Sequence, residues 1–318
     1  MKILVAAPKD IFDPLKIADE FKNNEFFRNN QFYDQTVSEN ELAQIEVMLG
    51  YDQKLLAKIL SCPKSHLRWI QALSAGIDYL PLNEIKSNKI SLTTLKGLHA
   101  EPIAETIIGM ILGHYRALNY SARQKSWNKP SFISDTLIQK QVAIFGTGSI
   151  GEQTAKLLKA FQTKIIGINH NGHPAKNFDK TLSSESFLPD IKNVDIVVNT
   201  MPLTKFTENF FNRDFFDQLT AKPMFINVGR GQSTNTADLI QALNQKQISA
   251  AALDVTDPEP LFKDNPLWQM EQVLIMPHIS AIYREYTADM LKVFAINLKH
   301  FKIDGNLPVN KIDLEKGY

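Results

Sequence analysis

A short apolar run, Gln141-Val142-Ala143-Ile144-Phe145, leads straight into Gly146-Thr147-Gly148-Ser149-Ile150-Gly151, and helical spacing follows from Glu152 to Leu158. A strand that turns through G-x-G-x-x-G into a helix constrains this chain more than any other stretch, because it is the first half of a mononucleotide-binding α/β unit. Gly146 can make the tight turn, Gly148 can let the backbone approach a pyrophosphate, and Gly151 can let helix lie against strand. Ser149 and Ile150 open the helix, whose first N–H groups and partial positive charge suit the phosphates. The loop therefore predicts a dinucleotide site and a parallel sheet around it.

Strand-like runs recur on both sides of this loop. Before it lie Ile3 to Ala7, Ile45 to Leu49, Trp69 to Leu73 and Ile90 to Leu95, then one helical stretch from about Glu101 to Lys125. After Gln141 to Phe145 come Lys164 to Ile168, Asp195 to Thr200, Met224 to Val228, Ala250 to Val255 and Val273 to Met276, with helical segments at Ile150 to Phe161 and Thr236 to Lys246. The second series reads as a doubly wound sheet of six strands. A last helical run, Ala288 to Phe301, stops at Asp304-Gly305-Asn306-Leu307-Pro308. At 318 residues the chain has room for two such units, and the seam falls near Lys96-Gly97-Leu98, where a glycine separates a strand from a helix start.

Composition narrows the ligand. With 44% hydrophobic and 22% charged residues the chain is an ordinary folded protein. Its 35 Lys+Arg against 34 Asp+Glu leave +1, which gives no global attraction to nucleic acid or an acidic membrane and favours a small-molecule ligand. The single cysteine, Cys62, can form neither an intramolecular disulfide nor a cysteine cluster for zinc, so a reducing compartment and no metal are expected. Met1 to Lys9 is too short for a signal-peptide core, and Ile103 to Tyr115, the most apolar longer stretch, is broken by Glu105 and His114. A cytoplasmic protein is expected.

About 18 residues beyond Gly151, where NAD-selective sites carry an acid for the ribose hydroxyls, the strand ends instead in Asn169-His170-Asn171. No carboxylate is there to repel a 2′-phosphate. Asn169, His170 and Asn171 can donate hydrogen bonds to one, with Lys176 nearby in sequence, so NADP(H) is slightly favoured. The other reading, in which Asn169 holds the ribose diol of NAD(H), stays open, since no arginine offers strong phosphate pairing here.

Three later segments place a polar residue at an expected strand end: Arg230 within Asn227-Val228-Gly229-Arg230-Gly231, Glu259 just after Leu253-Asp254-Val255, and His278 within Pro277-His278-Ile279-Ser280. Hydride transfer to a carbonyl needs a proton donor, a group that tunes it, and a cation for the substrate carboxylate. His278, Glu259 and Arg230 meet those needs together, where each alone reads as a capped histidine, a solvated acid or a surface ion pair.

The order of these motifs, with Ser74-Ala75-Gly76-Ile77-Asp78 ahead of them and Glu259-Pro260-Leu261 among them, resembles the D-isomer-specific 2-hydroxyacid dehydrogenase family, glyoxylate/hydroxypyruvate reductases included. The resemblance runs from about Trp69 to Asp313. It implies an α/β protein of two parallel-sheet domains, Rossmann-like and flavodoxin-like, with an NAD(P)-binding domain at 99–283 inserted into a substrate domain made of 1–98 and 284–318. It implies His278 as acid/base, Glu259 hydrogen-bonded to it, and Arg230 with the backbone N–H groups of Ser74, Ala75 and Gly76 on the substrate carboxylate. Asp254 would accept from the nicotinamide carboxamide, and Thr200, Pro202, Thr207, Val228, His278 and Ser280 would line the cofactor. The activity implied is NAD(P)H-dependent reduction of a small 2-oxoacid to the D-2-hydroxyacid by a homodimer whose interface uses the Glu101 to Lys125 helix. Two alternatives stand beside it. One is a bulkier 2-oxoacid met by Tyr51, Trp127 or Tyr283; the other is a redox-sensing NAD(H)-binding regulator on the same scaffold.

Overall fold

The computed structural model describes residues 1–7, 14–21, 27–62, 64–127, 129 and 134–314. The chain divides into two compact units, one made of 1–98 with 283–318 and the other of 99–282.

The first unit holds strands β1 (Lys2–Ala6), β2 (Gln31–Tyr33), β3 (Val47–Gly50), β4 (Trp69–Gln71) and β5 (Ser91–Thr93), with helices α1 (Pro14–Phe21), α2 (Glu39–Leu42), α3 (Gln53–Ser61) and α4 (Leu82–Ser87) between them. The strands are all parallel in the order β2-β1-β3-β4-β5. The interior strands β1 and β3 are buried on both faces, which is why they are continuous apolar runs instead of alternating ones. Ile3, Val5, Val47, Leu49 and Trp69 face one core, where Met290, Leu291, Phe294 and Leu298 also pack. Leu4, Ala6, Met48, Ile70 and Leu92 face the other, against Leu55, Leu56 and Ile59 of α3.

The second unit opens with α5 (Ala100–Tyr115) and α6 (Leu118–Arg123). Strands β6 (Gln141–Phe145), β7 (Lys164–Asn169), β8 (Lys180–Ser183), β9 (Ile196–Asn199), β10 (Met224–Asn227), β11 (Ala250–Leu253) and β12 (Val273–Ile275) follow, with α7 (Ser149–Lys159), α8 (Leu188–Ile191), α9 (Arg213–Phe216) and α10 (Thr236–Asn244) among them. Their order, β12-β11-β10-β9-β6-β7-β8, is doubly wound and wholly parallel, with the switch point between β6 and β9. Val142, Ile144, Ile196, Val198 and Ile226 pack toward α5 and α7, while Ala143, Phe145, Val197, Phe225 and Leu253 meet a cluster of phenylalanines. The chain then returns to the first unit as α11 (Tyr286–Asp304), which stops where Gly305 adopts the left-handed conformation, φ 77°.

Two expectations need correction. Each sheet has one strand more than its apolar runs suggest, β2 and β8, and both are edge strands with half-exposed side chains. An edge strand with one covered face lacks the continuous apolar run that marks an interior one. The Glu101 to Lys125 helix is also two helices. Ala117 takes the left-handed conformation, φ 56°, and Asn119 folds back over Gly113, where a Cβ would lie 2.7 Å from its Oδ1. Among the described residues no helix is long and apolar enough to cross a membrane.

Candidate functional site

Because every strand of the second unit is parallel, the residues that follow β6, β7, β9, β10, β11 and β12 gather at one edge of the sheet. That carboxyl edge is where open α/β sheets bind ligands.

At the end of β6, Gly146 has φ +98°, and a Cβ there would lie 2.6 Å from Thr200 Oγ1. Thr200 Oγ1 in turn bonds the carbonyls of Phe145 and Gly146, each at 3.0 Å. A Cβ on Gly151 would lie 2.0 Å from the Gly146 carbonyl oxygen, so the close approach of α7 to the strand depends on that glycine. Gly148 is different. It is the extended N-cap of α7, no side chain caps the helix, and a Cβ would meet nothing within 4 Å. The open space beside Gly148 and the donors of Ser149, Ile150 and Gly151 fit the pyrophosphate of a nicotinamide dinucleotide.

β7 ends on Asn169, whose side chain is committed within its own turn. Oδ1 accepts from Gly172 N at 2.7 Å; Nδ2 donates to Thr147 Oγ1 at 3.0 Å and to His173 O at 2.9 Å. Asn171 Oδ1 lies 2.5 Å from His173 Nδ1. His170 is exposed, and Ser183 Oγ donates to its carbonyl at 3.0 Å.

β9 and β10 also end on asparagines, and these two are buried. Asn199 Nδ2 donates to Asn227 Oδ1 at 2.9 Å and to Ser233 Oγ at 2.7 Å; its Oδ1 accepts from Met201 N at 3.0 Å. Asn227 Nδ2 donates to the Arg230 carbonyl at 3.0 Å, and Ser233 Oγ donates to it at 2.6 Å. This buried network fixes the backbone that carries Arg230, and in low dielectric it is costly to leave half-made. Glycine is required on either side of the arginine. A Cβ on Gly229 would lie 2.6 Å from Met201 O, and one on Gly231 only 1.9 Å from Thr256 O. Val228 is buried beside them; Pro202 O accepts from Thr207 Oγ1 at 2.7 Å, closing the turn after Thr200.

Beyond β11 and β12 stand the acid and the base. Glu259 Oε1 is 2.6 Å from His278 Nδ1, with both side chains partly exposed. His278 is a non-glycine residue at φ +55°, a conformation that persists only when its surroundings impose it. Asp254 imposes it. This buried aspartate accepts from Ile279 N at 2.9 Å and Ser280 N at 3.2 Å through Oδ1, and from the Ser280 hydroxyl through Oδ2. Its carbonyl accepts from His278 N at 2.9 Å.

In the first unit, the turn of Ser74, Ala75 and Gly76 follows β4. Ser74 Oγ donates to Gly76 O at 2.6 Å and lies 2.8 Å from the Tyr79 hydroxyl. The Tyr51 and Tyr79 rings are 5.6 Å apart, and Tyr286 donates to Leu73 O at 2.9 Å. Burial, with Tyr79 adding to it, pushes the Tyr286 phenol up to about 12; burial, Glu84 and Asp52 raise that of Tyr51. Tyr283 donates to Asp289 at 2.8 Å, and Trp127 is wholly exposed.

Sequence reasoning passes over Asn199, Asn227, Ser233 and Thr147. A signal was present, because three apolar strands end on asparagine (Asn169, Asn199 and Asn227) at the edge where a parallel sheet exposes its ligand crevice. Among the described residues no group of three or more His, Cys, Asp or Glu could hold a metal ion.

Comparison with known proteins bears on the same residues. The family model for the NAD binding domain of D-isomer specific 2-hydroxyacid dehydrogenases matches residues 108–280. The glyoxylate reductase/hydroxypyruvate reductase of Homo sapiens is 33% identical over 250 residues, covering 76% of this chain and 75% of its own. Among solved structures, a D-isomer specific 2-hydroxyacid dehydrogenase family protein from Aeromonas salmonicida is 26% identical, covers 98% of this chain and 99% of its own, and has a TM-score of 0.84. Phosphoglycerate dehydrogenase from Lactobacillus plantarum is 35% identical and covers 98% and 100%, with a TM-score of 0.57.

Proposed function

The chain belongs to the D-isomer specific 2-hydroxyacid dehydrogenase family, and from that premise we propose that it reduces a small 2-oxoacid, of the glyoxylate or hydroxypyruvate kind, to the D-2-hydroxyacid with NAD(P)H. The observation that carries this reading is the His278–Glu259 pair at 2.6 Å, on the sheet edge that also bears Arg230 and the glycine loop. With Nδ1 engaged by Glu259, the imidazole keeps Nε2 for the substrate oxygen. A nicotinamide bound at this edge supplies the hydride that C2 of the 2-oxoacid receives. His278 donates the Nε2 proton to the carbonyl oxygen as it becomes a hydroxyl, and recovers a proton from solvent; oxidation of the hydroxyacid runs the same transfers backward. Glu259, 2.6 Å from Nδ1, orients the ring, and Arg230 binds the substrate carboxylate by charge-assisted hydrogen bonds. The backbone N–H groups of Ser74, Ala75 and Gly76, in the first unit, are donors suited to a carboxylate. The first unit is then the substrate domain and the second the cofactor domain.

NADP(H) is slightly favoured over NAD(H), supported by the amide of Asn169 where a carboxylate would repel a 2′-phosphate. A homodimer belongs to the same reading. Its support is the exposure of Leu118 and Trp127, together with a cavity of about 530 Å³ between α6, the end of α5 and the starts of β10, β11 and β12. Sedimentation should give a dimer mass, reduced to that of the monomer by Trp127→Ser.

The reaction is tested by the loss of reduced-nicotinamide absorbance with glyoxylate and hydroxypyruvate. His278→Ala should lower turnover by roughly a hundredfold to ten-thousandfold. Turnover near that of the wild type in this variant would remove His278 from the chemistry.

A further inference from the structure

Three polar side chains stand at the end of β7, where the adenosine ribose of a nicotinamide dinucleotide is read, and the structure gives them different tasks. A carboxamide has two N–H donors, and Asn169 has committed both, to Thr147 Oγ1 at 3.0 Å and His173 O at 2.9 Å, while its oxygen takes Gly172 N at 2.7 Å. Asn171 directs its oxygen to His173, 2.5 Å from Nδ1. The exposed imidazole of His170 remains, on a backbone held from beneath by the hydroxyls of Ser183 and Ser184 at 3.0 and 3.4 Å.

Thr147 extends the arrangement into the glycine loop. Its methyl group lies over Gly167 of β7, where a Cβ would come within 2.8 Å of Thr147 Cγ2, and its hydroxyl receives the Asn169 amide. Asn169 thus ties the pyrophosphate loop to the ribose turn across two neighbouring strands. A carboxylate at 169 could keep the bond from Gly172 N, but it would turn an oxygen toward the His173 carbonyl where the amide now donates.

We propose that His170 recognises the 2′-phosphate of NADP(H), and that Asn169 is a positioning residue that holds the 169–173 turn, and so His170, in place without itself touching the ribose. The proposal rests on the family's use of a nicotinamide dinucleotide and deepens the reading of which one. Its chemistry is that of an imidazole N–H on a dianionic phosphate, a contact available at the turn without an arginine.

The test is calorimetric binding of NADPH and NADH to the full chain. His170→Ala and Asn169→Ala should each weaken NADPH by about fivefold or more and change NADH by less than about twofold. The double variant should be no weaker than the worse single one, because both remove the same contact. Thr147→Val, which removes the acceptor from the opposite side, should reproduce Asn169→Ala; His170→Arg should bind NADPH at least as well as the wild type. Amide hydrogen exchange supplies a readout independent of the nucleotide: Gly172 N–H should exchange faster in Asn169→Ala and stay unchanged in His170→Ala. The proposal is overturned if His170→Ala leaves NADPH unaffected, if the two substitutions add, or if Asn169→Ala weakens NADH as much as NADPH, which would make residue 169 a ribose ligand. A wild type that binds NADH but not NADPH overturns it while leaving the dehydrogenase reading intact. Binding of neither nucleotide would remove the cofactor reading itself.

Discussion

At the scale of single residues, Asp254 shows how a site residue can be visible in a sequence while its task is not. The family resemblance assigns its carboxylate to the nicotinamide carboxamide. The structure engages both oxygens with the turn that carries His278, through Ile279 N, Ser280 N and the Ser280 hydroxyl. A left-handed His278 at φ +55° needs that restraint. Asp254→Asn would aim an NH₂ group at donors that now find an acceptor, so the turn should loosen and the base move off its line. Turnover should fall by roughly tenfold to a hundredfold, while the dissociation constant for NADPH stays within about threefold. Equal losses in both quantities would return Asp254 to the carboxamide. Arg230 follows the same logic. Its position after a parallel strand is legible in Asn227-Val228-Gly229-Arg230-Gly231, but nothing in that string says that Asn227 turns inward to hold the arginine's own carbonyl, with Asn199 donating to Asn227 behind it.

Elements were legible in proportion to how deeply they are buried. The interior strands are mostly apolar because they are covered on both faces, and β6, β9 and β10 lie close to their apolar runs. β2 and β8 pair on one side only, expose much of their surface and lack such a run. The α5–α6 break was hidden for a different reason: Ala117 in the left-handed conformation is not a residue that announces a turn. The second unit's sheet leans on a phenylalanine cluster, in which the Phe211 ring lies 5.1 Å from Phe145, 4.9 Å from Phe215 and 5.1 Å from Phe225, fully buried. Phe211→Ala leaves a void that rings fixed by several neighbours cannot close. It should cost about 3–5 kcal/mol, read as a lower urea midpoint for the transition of that unit.

On the scale of the whole molecule, stability should depend on pH through histidines that the reaction does not use. Burial lowers His99 from 6.5 to about 4, and burial also lowers His114, at the two ends of α5. A histidine kept neutral in the fold protonates first in the unfolded chain, so stability is fully present above about pH 6.5 and declines as pH falls toward 4. His99 alone should contribute a loss of about 3 kcal/mol across that window. Chemical unfolding at a series of pH values should show it, and His99→Gln should flatten the slope; an unchanged slope would assign the acid lability elsewhere. The α/β class, the parallel sheets, the glycine loop and the strand-end positions of Arg230, Asp254 and His278 are written along the chain, because apolar runs, glycines and their spacing act locally. What each polar side chain faces emerges only on folding: Glu259 on His278, Asp254 under its turn, Asn199 and Asn227 beneath Arg230, and Asn169 turned inward while His170 stays exposed. Those partners lie on different strands, and only the packing of the sheet brings their hydrogen-bonding groups within reach.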